Sequence, residues 1–393
     1  MDFSFTDEQR AFQQEVRTFL QQEIPPDWDG DAYFLELSDE EWQFALAFTK
    51  KLGERRWTAP AWPPEYGGLG LDFMRQVILN EEISYHRGPN VSWIGVTYVG
   101  PTIIVHGTEE QKREFLPGIV SGDIVWCQGF SEPNAGSDLA SLQTTAVRDG
   151  DDYIINGTKI WTTIAHRSNW CFMLARTDPT APKHKGISYF LVPMDAPGIS
   201  IVPLPNMAGL HGFNQVFFEN VRVPARYRVG EENRGWYVAM TTLNFERSNI
   251  SQNAFCRRNF DDLVAYCREA PPDGGGLAGR QAVRHRLAEL AIEVEVSRIL
   301  SYRVAHLQER GLVPNYEASV AKVFTSELVQ RVARAGVEVM NLYGQLREGS
   351  KYARLRGFFG RHYLTSVSYT IAAGTSEVQR NIIATKGLGL PMS

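Results

Sequence analysis

Between residues 126 and 224 the hydrophobic rhythm of this chain turns from helical to alternating and then turns back, and that double switch constrains the fold more than any other feature. Upstream of it, Thr6 followed three residues later by Gln9 reads as a capping box, and Phe12, Val16, Phe19 and Leu20 share one face of a 3.6-residue period that Pro25 and Pro26 end. Trp42, Ala45, Phe48 and Leu52 repeat the pattern before Gly53, and the Pro- and Gly-rich residues 60–70 read as a loop. Thr108 and Gln111 form a second capping box, opening a helix expected to stop at Pro117. Inside the switched segment, residues 144–147, 153–155, 159–163, 187–192 and 215–223 are short β-branched and aromatic runs. Asp149-Gly150 and Asn156-Gly157 supply hairpin-type turn signals between them. After Pro224, residues 236–267, 280–308, 315–343 and 363–386 have helical periodicity and bundle-forming length, with an open connection over residues 271–276. The expectation is an α+β chain with a helical domain over 1–124, a β domain over 125–226 and a helical bundle over 227–393.

Composition narrows the function. With 43% apolar and 11% aromatic residues the chain can build cores, and 40 basic against 45 acidic residues give a net charge of −5. Such a balance creates no overall field drawing in nucleic acid or an acidic membrane. Cys127, Cys171, Cys256 and Cys267 make no CxxC pair, which argues against a disulfide framework or a zinc site, and the eight histidines lack metal-ligand spacing. No metal is expected. The absence of an 18-residue apolar run and the acidic start, with Asp2, Asp7 and Glu8, point to a cytoplasmic protein without a signal or transit peptide. HExxH, P-loop and GxSxG patterns are missing, and Gly67-Gly68-Leu69-Gly70 lacks the third glycine and preceding strand of a dinucleotide fingerprint, so it reads as a turn. Lys351, Arg354, Arg356, Arg361 and His362 alternate with Tyr352, Phe358, Phe359 and Tyr363, a pattern able to grip a nucleic acid. A loop whose cations serve ion pairs or a phosphorylated small ligand accounts for it better, given the negative chain.

Two segments carry the chemistry. Cys127-Gln128-Gly129-Phe130-Ser131-Glu132-Pro133-Asn134-Ala135-Gly136-Ser137-Asp138 lies where helices give way to strands, and Tyr153-Ile154-Ile155-Asn156-Gly157-Thr158-Lys159-Ile160-Trp161-Thr162-Thr163 follows. A glycine-spaced loop with free N–H groups and hydroxyls beside an aromatic side chain can hold a flat polar ring by stacking and edge hydrogen bonds. On the residues alone, Trp161 equally reads as strand core and Ser137-Asp138 as a helix cap.

The pair resembles the TEPxAGSD-like and NGxKxWIT-like segments of the acyl-CoA dehydrogenase family, and further matches follow in order: His106-Gly107-Thr108-Glu109-Glu110-Gln111-Lys112, Lys185-Gly186-Ile187-Ser188, Phe217-Phe218-Glu219-Asn220-Val221-Arg222-Val223-Pro224 and Gly374-Thr375-Ser376-Glu377-Val378-Gln379-Arg380. The resemblance spans essentially the whole chain. It implies an N-terminal helical domain, a middle β-barrel-like domain and a C-terminal four-helix bundle, with FAD between the last two. It places Gln128, Phe130 and Ser131 along the flavin edge, Trp161, Thr162 and Thr163 against the ring, Ser137 at the flavin and thioester, and Gln281, Thr375 and Glu377 near the dinucleotide. The implied reaction is α,β-dehydrogenation of an acyl-CoA to the trans-2-enoyl-CoA, with electrons passing to an electron-transfer flavoprotein.

Two departures matter. Most members carry the catalytic Glu where this chain has Ala373, whose methyl cannot take a proton. A minority, isovaleryl-type and long-chain-type, place the base in an L-x-x-E-R segment, matched here by Leu243-Asn244-Phe245-Glu246-Arg247. The resemblance therefore assigns Glu246 as base, and Arg247, Ser137, Ala373 and Gly374 to the substrate. Homotetrameric members also grip the FAD adenine half from a neighbouring subunit through R-x-x-F-G and Q-x-x-G-G segments. Residues 270–276 contain neither the arginine nor Phe-Gly, and the second segment reads Asn341-Leu342-Tyr343-Gly344-Gln345. Bacterial heteromeric members acting on bulky acyl-CoAs such as steroid side-chain thioesters have subunits eroded in this way. A homo-oligomer or a heteromer with a related chain is expected. Alternatives are an acyl-CoA oxidase using dioxygen, a non-catalytic subunit, and a DNA-associated member of the fold.

Overall fold

The computed structural model of the chain describes residues 5–28, 30, 37–242, 249–269 and 276–391. Thr6 Oγ1 accepts the Gln9 N–H while the Gln9 side chain accepts the Thr6 N–H, and α1 (Asp7–Glu23) follows, burying Val16, Phe19 and Leu20. Ser38 and Glu41 make the same box for α2 (Asp39–Glu54), which buries Trp42, Ala45, Phe48 and Leu52. Asp72 caps α3 (Phe73–Tyr85), and α4 (Gly100–His106) precedes α5 (Glu109–Ser121), whose box is Thr108 with Gln111. Helix α5 does not stop at Pro117; it continues to Ser121 and ends on Gly122 in the left-handed region. An interior proline costs a helix about 3 kcal/mol. Continuing past it keeps Leu116, Ile119 and Val120 in the core, and that burial outweighs the missing donor.

Eight strands form one sheet: β1 (Trp126–Gly129), β2 (Thr145–Asp149), β3 (Asp152–Lys159), β4 (Trp170–Arg176), β5 (Ile187–Pro193), β6 (Ile199–Leu204), β7 (Phe213–Pro224) and β8 (Arg228–Val229). The order is β6-β7-β3-β2-β4-β5-β8, with β1 parallel to β4. Gly150, at positive φ, joins β2 to β3 as its turn signal requires. Asn156-Gly157 is not a turn. It sits inside β3 at a β-bulge, where the register with β7 shifts between Ile155 and Gly157. A Cβ on Gly157 would lie 2.4 Å from Thr144 Oγ1, so the glycine serves close approach within a strand paired on both sides. The run 159–163 likewise leaves the sheet at Lys159, because Trp161 and Ile164 take positive φ of 58° and 51°.

Helix α6 (Gly235–Thr242) follows β8, and α7 (Ile250–Arg268), α8 (Gln281–Glu309) and α9 (Tyr316–Met340) are the long helices. The helix expected over 236–267 is thus described as α6 and α7, with 243–248 outside the described residues. The helix expected over 363–386 is broken into α10 (Phe358–Thr365), a 3-10 stretch, α11 (Ser376–Ile382) and a terminal π turn. Ala373 and Gly374 cause the break, at φ 54° and 87°.

Two compact units result. One comprises Met1–Trp28, Asp72–Gly88 and Arg247–Ser393, with α3 packed on α7 and α8 and α1 packed on α3. Its buried acids are locally answered: Glu81 accepts from Tyr302 Oη at 2.5 Å and Glu82 pairs with Arg17 at 2.9 Å. The other comprises Asp29–Leu71 and Pro89–Glu246, holding the sheet around Trp126, Tyr153, Phe172 and Tyr189. Among the described residues no helix is long and apolar enough to cross a membrane.

Candidate active site

Strand β1 leads directly into the first motif. Gln128 is half-buried, while the Phe130 ring is buried edge-on against Phe172 and Tyr189 and its carbonyl accepts from Lys159 Nζ. Phe130 therefore meets any ligand through backbone, not ring. Glu132 turns inward. Its carboxylate accepts from the N–H groups of Gln143 and Thr144 at 2.6 and 3.0 Å and pairs with Lys159 Nζ at 2.8 Å. Burial opposes ionisation of Glu132, but Lys159 and these donors outweigh it and hold the carboxyl below its usual range. Burial lowers the Lys159 ammonium, with Glu132 opposing. The pair pins the motif loop to β3. Neither residue's role is evident from the motifs themselves; the available signal was an acid and a base of opposite charge in the two segments, Glu132 in the first and Lys159 in the second.

The second motif ends in a turn stitched to the first, since the Ile160 N–H donates to the Ser131 carbonyl at 2.9 Å. Trp161 and Thr163 face outward and Thr162 faces in. The Trp161 indole is 54% exposed, edge-on to Phe213, on backbone that an aromatic residue rarely adopts. Thr162 has no exposed surface and, among the described residues, its Oγ1 lacks a hydrogen-bond partner, so Thr162 contributes through backbone. An exposed indole fixed on strained backbone, next to the partly exposed Thr163 in a turn bonded to Ser131, fits a flat ring with a polar edge such as the isoalloxazine of FAD. Ser137 lies in the exposed outer part of the loop, beside Asp138, whose carboxylate pairs with Lys183 and accepts from Ser141.

In the other unit the Ala373-Gly374 turn is exposed at Ala373 and tied at both carbonyls: Gln379 Nε2 donates to Ala373 at 3.1 Å and Lys322 Nζ to Gly374 at 2.7 Å. Burial pushes the Lys322 ammonium down to about 8, against the pull of Glu327 and Glu377. Thr375 caps α11 through its hydroxyl, and Glu377 is exposed in the first turn. Gln281 opens α8, and among the described residues no hydrogen bond links it to that turn. Glu246 and Arg247 lie outside the described residues. In the basic and aromatic stretch, Arg356 and Arg361 both pair with Glu348, Lys351 and Arg354 lie over the Tyr352 and Tyr343 rings, and Phe359 and His362 are buried. Among the described residues no three His, Cys, Asp or Glu side chains gather as a metal site needs.

Three family models match in order: the acyl-CoA dehydrogenase N-terminal domain over residues 6–123, the middle domain over 127–221 and the C-terminal domain over 233–388. Acyl-CoA dehydrogenase FadE26 of Mycobacterium tuberculosis is 36% identical over 406 residues, which cover 100% of this chain and 99% of the relative. Among solved structures, the Tcur3481-Tcur3483 steroid ACAD superposes with a TM-score of 0.89 at 34% identity, covering 100% of both chains. The ChsE4-ChsE5 complex from Mycobacterium tuberculosis does so with a TM-score of 0.89 at 35% identity, again over 100% of both.

Proposed function

We propose that this chain, which belongs to the acyl-CoA dehydrogenase family, removes the α-proton of its thioester substrate with Glu246. The family's enzymes are FAD-dependent oxidoreductases that dehydrogenate acyl-CoA, and this chain is one of them. FAD, when bound, supplies the hydride acceptor for the substrate Cβ. Glu246 takes the proton from Cα, so that the trans-2-enoyl-CoA leaves. Its support is twofold: the Leu243-x-x-Glu246-Arg247 order, and Ala373 at the position of the common base.

Gln128, the Phe130 backbone and Ser131 would hold the ring edge, Trp161 and Thr163 its face, with Thr162 acting through backbone. Thr375, Glu377 and Gln281 would reach the dinucleotide. The Ala373 N–H would donate to the thioester carbonyl, Gly374 would leave room beside it, and Ser137 and Arg247 would orient the acyl-CoA. The observation that carries this placement is the exposed Trp161–Thr163 turn stitched to Ser131.

Electrons would pass to an electron-transfer flavoprotein, in the cytoplasm, and the domain limits would be 1–124, 125–226 and 227–393. A heteromer with a related chain, acting on a bulky acyl-CoA, is favoured over a homo-oligomer by the missing arginine clamp and by the likeness to the Tcur3481-Tcur3483 steroid ACAD and the ChsE4-ChsE5 complex. Anaerobic titration with a panel of acyl-CoAs tests the function: bleaching of bound flavin by at least one is expected, with faster reoxidation by electron-transfer flavoprotein than by dioxygen. A flavin-loaded protein that no acyl-CoA bleaches would overturn it.

A further inference from the structure

We propose that Asn214 is a positioning residue for the Trp161–Thr163 turn, its carboxamide oriented by the Thr162 carbonyl and held between His211 on one side and His166 on the other. The inference rests on the placement of Trp161 and Thr163 against the cofactor given above.

Residue 214 grips Thr162 twice. The Thr162 N–H donates to the Asn214 carbonyl at 3.0 Å, and Asn214 Nδ2 donates to the Thr162 carbonyl at 3.1 Å. Asn214 has no exposed surface, so every polar atom of its carboxamide needs a partner inside the protein. The second Nδ2 hydrogen meets His166 Nδ1 at 3.1 Å, and Oδ1 lies 2.9 Å from His211 Nε2. A carboxamide oxygen only accepts and its nitrogen only donates. His211 must therefore carry a proton on Nε2, and His166 must present a bare Nδ1 with its own proton on Nε2. Flipping the amide would set Oδ1 against the Thr162 carbonyl, an acceptor that cannot change its role. That carbonyl fixes the amide, and the amide in turn fixes the tautomers of both imidazoles.

The two imidazoles stack at 4.3 Å between centroids and 24° between planes. His166 keeps an exposed edge, but partial burial, the stacked His211 and Arg167 push it down to about 4, so its Nδ1 lone pair persists through the neutral range. The charged and titratable groups facing it are His211 and Arg167, and Arg167 is itself paired with Asp39 at 2.7 Å. The grip is needed because Trp161 and Ile164, an aromatic and a β-branched residue, both sit at positive φ and would relax if untied. The Ile164 N–H, donating to Gly212 at 2.8 Å, completes the lacing.

Histidine ¹⁵N NMR of the wild-type protein at pH 7 should show His166 as the Nε2–H tautomer, titrating near pH 4. His211→Gln keeps a donor toward Asn214 and should bind FAD within about twofold of wild type. His211→Leu removes the donor and should raise the FAD dissociation constant about tenfold, with faster exchange of the Thr162 amide in the cofactor-free protein. An Nδ1–H tautomer at His166, or equal behaviour of the Gln and Leu variants, would overturn the proposal. Thr163→Val separates the two inferences. An unchanged flavin spectrum and affinity there would overturn the cofactor placement, and with it any positioning role, even where the tautomers are as expected.

Discussion

The Lys159 ammonium lies 2.8 Å from the Glu132 carboxylate, with no exposed surface on the lysine side chain and 8% on the glutamate. One strand thereby anchors the loop that carries Gln128 and Ser131. Breaking a buried pair from one side strands the other charge, which costs about 3–5 kcal/mol. Lys159→Met should lower the urea midpoint accordingly. The double variant Glu132→Gln with Lys159→Met should recover part of the loss, because it leaves no stranded charge and the single glutamine oxygen still accepts from one of the two N–H groups, Gln143 or Thr144. A double variant less stable than Lys159→Met alone would contradict the pairing.

Lys322 sets a pH dependence. Its folded value is lowered to about 8 from an ordinary 10.5, so between those values the unfolded chain holds a proton that the folded chain has released. Stability should rise with pH through that window, and Lys322→Met should lack the rise. Urea midpoints at pH 7.5 and 9.5 for both proteins measure it, and equal pH slopes would contradict the burial of the ammonium.

Ala373 is exposed and its backbone already adopts the left-handed conformation, so a longer side chain adds no new strain there. Ala373→Glu should keep the fold, bound FAD and acyl-CoA binding, measured by the spectral shift on adding substrate. Total loss of acyl-CoA binding in a folded variant would mean that residue 373 does not serve the thioester through its N–H.

Much of the fold was legible because its signals are local. The boxes at Thr6 and Thr108 formed as their spacing requires, and Ser38 with Glu41 carries the same unread signal before α2. Misreadings arose where tertiary contact overrides local preference: Pro117 inside a helix that buries Leu116 and Ile119, and Gly157 in a strand rather than a turn. The site was legible only as motifs. Glu132 and Lys159 each lie within a motif, but their pairing spans 27 positions. His166, His211 and Asn214 were invisible because histidines considered singly look like surface or core residues; only the turn brings them together.

Glu246→Gln tests the central claim most directly. The variant should retain FAD and bind acyl-CoA, while anaerobic stopped flow records flavin reduction slowed by about 10² to 10⁴, the worth of a positioned base. Flavin reduction at the wild-type rate would contradict the assignment and leave the α-proton to another group.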